Sequence, residues 1–582
     1  MTNTSEQKSA TRIALKTSLS LLVLSLNACS LLQKDNTVGE VPLTPLPTTE
    51  IRENKAFTEE SLYALLVAEL GLTRGNYTLG LESYADQARN SEDLNVTARA
   101  TQIARILNNH ELSLELSTLW KDLDPGNREA RLILISELTH QKSFIQAIRE
   151  AKDIIYAGDE APIEEIAIKA AQAKSSELPA LEQALSEIVK DHPNNQEALL
   201  GLSILQLAQN NIEQSTIHAD RALAISPNDV RALFQKYRIL SSTRHTDQAA
   251  ATYVKIVEQQ PNNFRTRSHY ARLLLKVDRT EALKQYQQLL KMAPENHDIK
   301  LNIALLHQDL GQANEAKTRY ENLIENNEHV DASHYWLGDI AETQEDSSLA
   351  LQHYMKVQGG QRYIDAITKA SSILANTESV DNALLFISSR RESSSGENKE
   401  RLYVIEAETY ARVGKHNHSN ATYSNALNDF PKSIPILYSR AMYLASKLDI
   451  QEAEIDFRTI LELEPDNTAT LNALGYTLAD STNRHQEAKD IISKALTQRP
   501  DDAAILDSMG WVEFKLGNLK VAAGYLKRAF EQISDHEIGA HYGEILWSQG
   551  KKRQARRVWK KALATYPDSP ILRSSMKRLG AN

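Results

Sequence analysis

A spacing of about 34 residues runs through most of this 582-residue chain. Prolines followed by Asn, Asp, Gly or Glu stand at Pro125, Pro193, Pro227, Pro261, Pro294, Pro465, Pro500 and Pro567. Their separations are 68, 34, 34, 33, 171, 35 and 67 residues, all near whole multiples of 34, and Pro431 divides the longest gap in register. A period of this length marks an array of small units, each burying its apolar face against the next. Within each unit the apolar residues fall at helical spacing in two blocks, which predicts two amphipathic helices joined by a short turn. Residues 57–567 hold about fifteen such hairpins at this period. Pro570 to Leu579 predicts one further helix, which an array needs to cover its last apolar face.

The unit ending at Pro567 is the clearest. Gly539, Tyr542-Gly543 and Leu546 mark its first helix, Gly550 its turn, and Ala555 and Trp559 its second helix. Leu471, Leu474-Gly475, Leu478, Ala488, Ile492 and Pro500 repeat the scheme. Weaker copies include Leu337-Gly338 with Ala350 and Tyr354, Gly311 with Ala316 and Tyr320, and Ala453 with Phe457. A small residue on the first helix lets its neighbour approach, and large residues nearby fill the space around that contact. Proline ends the second helix because it cannot continue the hydrogen-bond ladder. The pattern resembles the tetratricopeptide repeat across residues 57–567. The stretches around 126–192 and 362–395 keep the length and apolar spacing, as at Leu132, Ile135, Ala147 and Ile148, but few of the signature residues.

That resemblance implies an all-α, right-handed superhelical solenoid of about fifteen hairpins with a C-terminal capping helix. It also implies a protein-binding role, with the first helix of each hairpin lining the concave side. Projecting the register places Tyr476, Trp511, Phe514 and Trp547 beside the Leu-Gly packing positions. Aromatic residues there are candidate anchors for a partner peptide or helix. Packing between repeats accounts for them equally well.

The N-terminus carries a different message. Basic residues up to Lys16 precede a short apolar segment, Thr17 to Leu26, which is the size of the apolar part of a signal peptide. It runs into Leu26-Asn27-Ala28-Cys29, and Cys29 is the chain's single cysteine. These residues resemble the lipobox of bacterial lipoproteins, with Asn27 in place of the usual small or β-branched residue. The resemblance implies cleavage before Cys29 and covalent lipid on its sulfur. Ser30, rather than Asp, implies sorting to the outer membrane. Pro42, Pro45 and Pro47 predict an extended tether. The expected organisation is a signal peptide over 1–28, a tether over 29–56, the array over 57–567 and a cap over 568–582.

Net charge is −10, and removing residues 1–28 makes it −12, a poor balance for general nucleic-acid binding. A lone cysteine excludes an intrachain disulfide and a cysteine-based metal cluster. His536-Glu537 with His541 has the look of a zinc motif, but the two histidines are five apart, about 140° around a helix. His416 and His418 are expected in a solvated inter-helix turn. Ser574 and Lys577 have nucleophile–base spacing in the cap, without companion motifs. No catalytic function and no cofactor beyond the lipid on Cys29 are expected. One charge feature stands out. From Lys551 to Arg578 ten basic residues accompany a single acid, Asp568, in an otherwise acidic chain.

In length, lipobox, proline tether and repeat number the chain resembles the pseudomonad-type lipoprotein adaptors of a carboxyl-terminal processing protease. The resemblance implies partners of two kinds, a periplasmic serine protease and peptidoglycan hydrolases presented to it. The alternative within the binding class is an assembly factor for a secretion, pilus or polysaccharide-export apparatus.

Overall fold

The computed structural model describes residues 57–581, so Cys29 and the segments expected to be a signal peptide and a tether lie outside the described residues. Among the described residues there are 31 α-helices and no strand. The chain forms two compact units, one ending at Ala184 and the other starting at Leu185. The division falls inside the helix Leu178–Asp191, in one of the stretches with few signature residues. The first unit holds the hairpins Glu59–Thr73 with Tyr77–Ser91, Leu94–Ile106 with His110–Leu123, and Arg128–His140 with Phe144–Tyr156, followed by Ile163–Gln172. The second runs from Gln196–Ala208 with Ile212–Ile225 to His536–Ser548 with Lys552–Thr565, and ends on the single helix Pro570–Arg578.

The prolines do more than stop helices. The residue two places after each is the N-cap of the next first helix: Asn127, Asn195, Asp229, Asn263, Asn296, Ser433, Asn467, Asp502 and Ser569. Each offers a side-chain oxygen to an otherwise unbonded helix N–H, an arrangement worth about 1 kcal/mol. The cap's own N–H donates to the carbonyl just before the proline, as from Asn467 to Glu464 at 3.0 Å. Proline thus occupies the second position of a β-turn, where its fixed φ is already right. One Pro-x-(Asn/Asp/Ser) sequence therefore ends a helix, turns the chain and starts the next helix.

Inside most hairpins the turn closes on one residue in the left-handed region. Gly550 takes this position at φ +77° in the last hairpin. The N–H of Lys551 then reaches back to the carbonyl of Leu546 at 2.9 Å, closing the helix end. Leu448 occupies the equivalent place at φ +64° without glycine's freedom.

Small residues set the packing between paired helices. A Cβ on Gly510 would come within 2.6 Å of Leu526, and one on Gly338 within 2.7 Å of the Tyr354 ring. Gly475 meets Ile492, and Gly543 the Trp559 indole, more closely still. The aromatic residues expected from the repeat, Tyr320, Tyr354, Phe457 and Trp559, are all fully buried. The stretches with weak signatures fold the same way. Tyr363–Thr377 and Val380–Glu392 form a hairpin in which Ala366, Ala370 and Ile387 are buried. No helix among the described residues is long and apolar enough to cross a membrane.

Candidate functional site

Three successive first helices, Thr468–Ser481, Ala503–Lys515 and His536–Ser548, carry a connected group of polar and aromatic side chains. Gly475 and Gly510 hold each first helix tight against its second helix. The residues that follow them, Tyr476 and Trp511, meet side chains of later or earlier hairpins. Trp511 donates its indole N–H to Asp480 Oδ1 of the preceding hairpin at 3.0 Å. Its ring stacks on His541 of the following hairpin, with centroids 4.2 Å apart. Tyr476 reaches two hairpins onward, donating its hydroxyl to Glu537 Oε1 at 3.2 Å. Its ring centroid lies 6.1 Å from that of His541.

His541 is the hub. Its Nδ1 lies 3.0 Å from both carboxylate oxygens of Asp507, and both residues are buried. Burial by itself lowers the histidine pKa, but the carboxylates of Asp507, Glu537 and Glu544 outweigh it and hold the pKa above the usual value. When protonated, the ring donates to Asp507 and presents a cationic face to Trp511. Burial, reinforced by the charges of Glu537, Asp480 and Asp507, pushes the Tyr476 hydroxyl far above its ordinary range, so it stays a donor. The arrangement binds three hairpins into one surface of fixed shape. It brings together carboxylates, a histidine and aromatic rings, and the recorded hydrogen-bond partner of His541 is a carboxylate rather than a nucleophile.

The four aromatic residues singled out from the register divide. Tyr476, Trp511 and Phe514 gather in this group, with Phe514 5.3 Å from Trp511. Trp511 is only 7% exposed, so nearly all of it is taken up by contacts within the array. Trp547 sits in the same register place as Phe514, four residues past the packing glycine, but packs on Trp559 at 5.6 Å beneath Lys552 and Arg556. The register marked the aromatic positions but not their polar partners. The signal for those was the recurrence of complementary residues about one unit apart, as in Asp507 and His541 or Asp480 and Trp511.

The other sequence candidates fall elsewhere. His536 stacks on Tyr566 and bonds Ser569, away from the Asp507 pairing of His541. Among the described residues no group of three or more His, Cys, Asp or Glu is placed to hold a metal. His416 and His418 were expected in a turn, but they open the helix His416–Asp429. Gly414, at φ +77°, closes the turn two residues earlier. Ser574 and Lys577 are exposed on the cap. Separately, an open groove of about 460 Å³ lies along Gly396–Arg412 and Ile434–Ser446. Glu408, Arg412, Tyr438, Met442, Tyr443 and Lys447 line it.

Stacked hairpins with small residues at many of the helix contacts and a polar, aromatic first-helix surface define a helical-repeat protein of the protein-binding kind. Residues 301–362 and 541–569 match the tetratricopeptide repeat family. The chain is 32% identical over 525 residues to the TPR repeat-containing protein PA4667 of Pseudomonas aeruginosa, covering 90% of this chain and 89% of that one. It belongs to that family of tetratricopeptide-repeat proteins. The bacteriophage adsorption protein A of Escherichia coli is 31% identical over 119 residues, 19% of this chain and 12% of its own length. Among solved structures, Naa15/Naa10 bound to HypK-THB aligns over 90% of this chain and 96% of its own, at 12% identity and a TM-score of 0.35.

Proposed function

We propose that this chain is a scaffold held by lipid on Cys29 to the periplasmic face of a bacterial outer membrane. There it brings a carboxyl-terminal processing protease together with cell-wall hydrolases that the protease degrades. The reading is carried by one observation, a succession of helical hairpins occupying residues 59–578 behind the Leu26-Asn27-Ala28-Cys29 signal. An array of this kind contributes surface rather than chemistry. Holding two partners on one anchored body raises their mutual effective concentration without a new catalytic group. The choice of partners follows the architectural resemblance to lipoprotein adaptors.

Affinity capture of the full chain, Cys29 intact, from solubilised envelopes tests the partners. Recovery of a processing-type serine protease with peptidoglycan endopeptidases is expected. Recovery of pilus or secretion components in their place overturns the adaptor role. The anchor has its own test. Cys29→Ser should release the chain from membranes washed in 0.5 M salt, and retention equal to the unaltered chain would count against lipid attachment.

A further inference from the structure

The helix Lys552–Thr565 is at odds with the electrostatics that stabilise helices. It contains Lys552, Arg553, Arg556, Arg557, Lys560 and Lys561 and no acid, and Lys551 is its N-cap. All seven side chains are exposed, and none forms an ion pair among the described residues. Cations in the first turn face the positive end of the helix dipole, the unfavourable end. Lys551 gives no side-chain cap either. Arg553–Arg557, Lys552–Arg556, Arg556–Lys560 and Arg557–Lys561 are like-charge pairs four residues apart, each destabilising. Folding alone does not favour this pattern. Elsewhere in the same array the second helix Ile450–Leu463 sets Arg458 among Glu452, Glu454, Asp456 and Glu462.

The six helical cations spread over about 180° of arc at ~100° per residue. Three of the seven rest on rings, Lys552 and Arg556 on Trp547 and Lys561 on Phe530. Lys551, Arg553, Arg557 and Lys560 point their charge at solvent. Ala555, Trp559 and Ala562 tie the opposite side into the core. The result is a wide, convex cationic surface mounted on a helix that is anchored in the core. A broad array of anions matches it.

We propose that this helix docks on an anionic lipid bilayer, its cations lying among phosphate headgroups. Convexity and spread favour a bilayer over a point ligand, because every cation on the exposed arc then meets negative charge within a Debye length. The preference for lipid over other polyanions rests on the membrane attachment proposed above. The docking itself needs no acyl chain, so the two are separable by experiment.

The chain from residue 29 onward with Cys29→Ser retains every described residue and removes the acylation site. It is to be sedimented with vesicles of phosphatidylcholine alone or with 30% phosphatidylglycerol, at 50 mM and 500 mM salt. Binding is expected only to the anionic vesicles and only at low salt. The variant Lys551→Gln, Arg553→Gln, Arg557→Gln, Lys560→Gln spares the ring-stacked cations and should bind at least about tenfold more weakly. Its melting temperature should stay equal or rise as repulsion is relieved, which separates lost docking from lost fold. Equal binding by the two chains, or equal binding to both vesicle types, overturns the proposal. So does retention on an acidic protein or on DNA without vesicle binding.

Discussion

The first and last hairpins face the same physical problem and meet it differently. Among the described residues each has a neighbour on one side only, so each has an apolar face with no described hairpin to cover it. At the C-terminal end, the helix Pro570–Arg578 lays Leu572 fully buried against the hairpin, and Arg578 pairs with Glu544 at 2.6 Å. At the N-terminal end, Leu62, Tyr63 and Leu66 of Glu59–Thr73 are 54%, 70% and 58% exposed. The lesson is that closing an array takes a dedicated helix with its own cap residue, here Ser569. Only one end of the described chain has it.

Five variants, one of them an internal control, test that contrast. The largest effect is expected from Leu572→Ala, which should open the closed end at a cost of about 2–5 kcal/mol. Hydrogen exchange over residues 536–565 should accelerate, and unchanged protection would show that the cap contributes little. Gly543→Ala drives a methyl into the Trp559 indole and should cost about 1–3 kcal/mol by chemical denaturation. Gly524→Ala, which meets no neighbour, is the internal control and should be neutral or slightly stabilising.

Asp507→Asn should cost about 1.5 kcal/mol at pH 6 by removing a charge-assisted bond to His541. The folded histidine pKa is raised, so the pairing stabilises fully below about pH 6.5 and its contribution fades as pH rises through the folded value. The gap between the two proteins should therefore narrow from pH 6 to pH 9. A gap that widens, or an NMR titration placing His541 below the free value, would contradict the pairing. The smallest effect is expected at the other end. Leu62→Glu with Leu66→Glu should change the melting free energy by less than about 0.5 kcal/mol, as for solvated positions. A loss above about 2 kcal/mol would mean that this face is covered in solution and the contrast between the ends is false.

Much of the fold was legible because the repeat writes the same physical instruction many times. Proline spacing locates the inter-hairpin turns, and Gly543 with Trp559 or Gly338 with Tyr354 names the helix contact in advance. Even so, the cap residue two places after each proline, a stronger local signal than the proline alone, is clear only once Asn467 is seen bonding both to Thr470 and to Glu464. The turn at Gly414 shifted by two residues because a left-handed glycine, not the polar histidines after it, closes the preceding helix. The candidate site was half legible. Tyr476 and Trp511 stand where the register put them, but their bonds to Glu537 and Asp480 span 61 and 31 residues, so neither follows from one period alone.

By itself the sequence determined the all-α class, the hairpin as the unit, and which residues touch within a unit. Those contacts are local, and 3.6-residue periodicity with small-residue spacing encodes them directly. Tertiary structure alone decided which side chains meet across hairpins: that His541 lies against Asp507 and Trp511, that Trp547 lies under cations on Trp559, and that the chain divides near Ala184. The physical reason is that small rotations between hairpins choose among several near neighbours one or two units away. No local pattern specifies that choice, which is settled by how all the buried side chains pack at once.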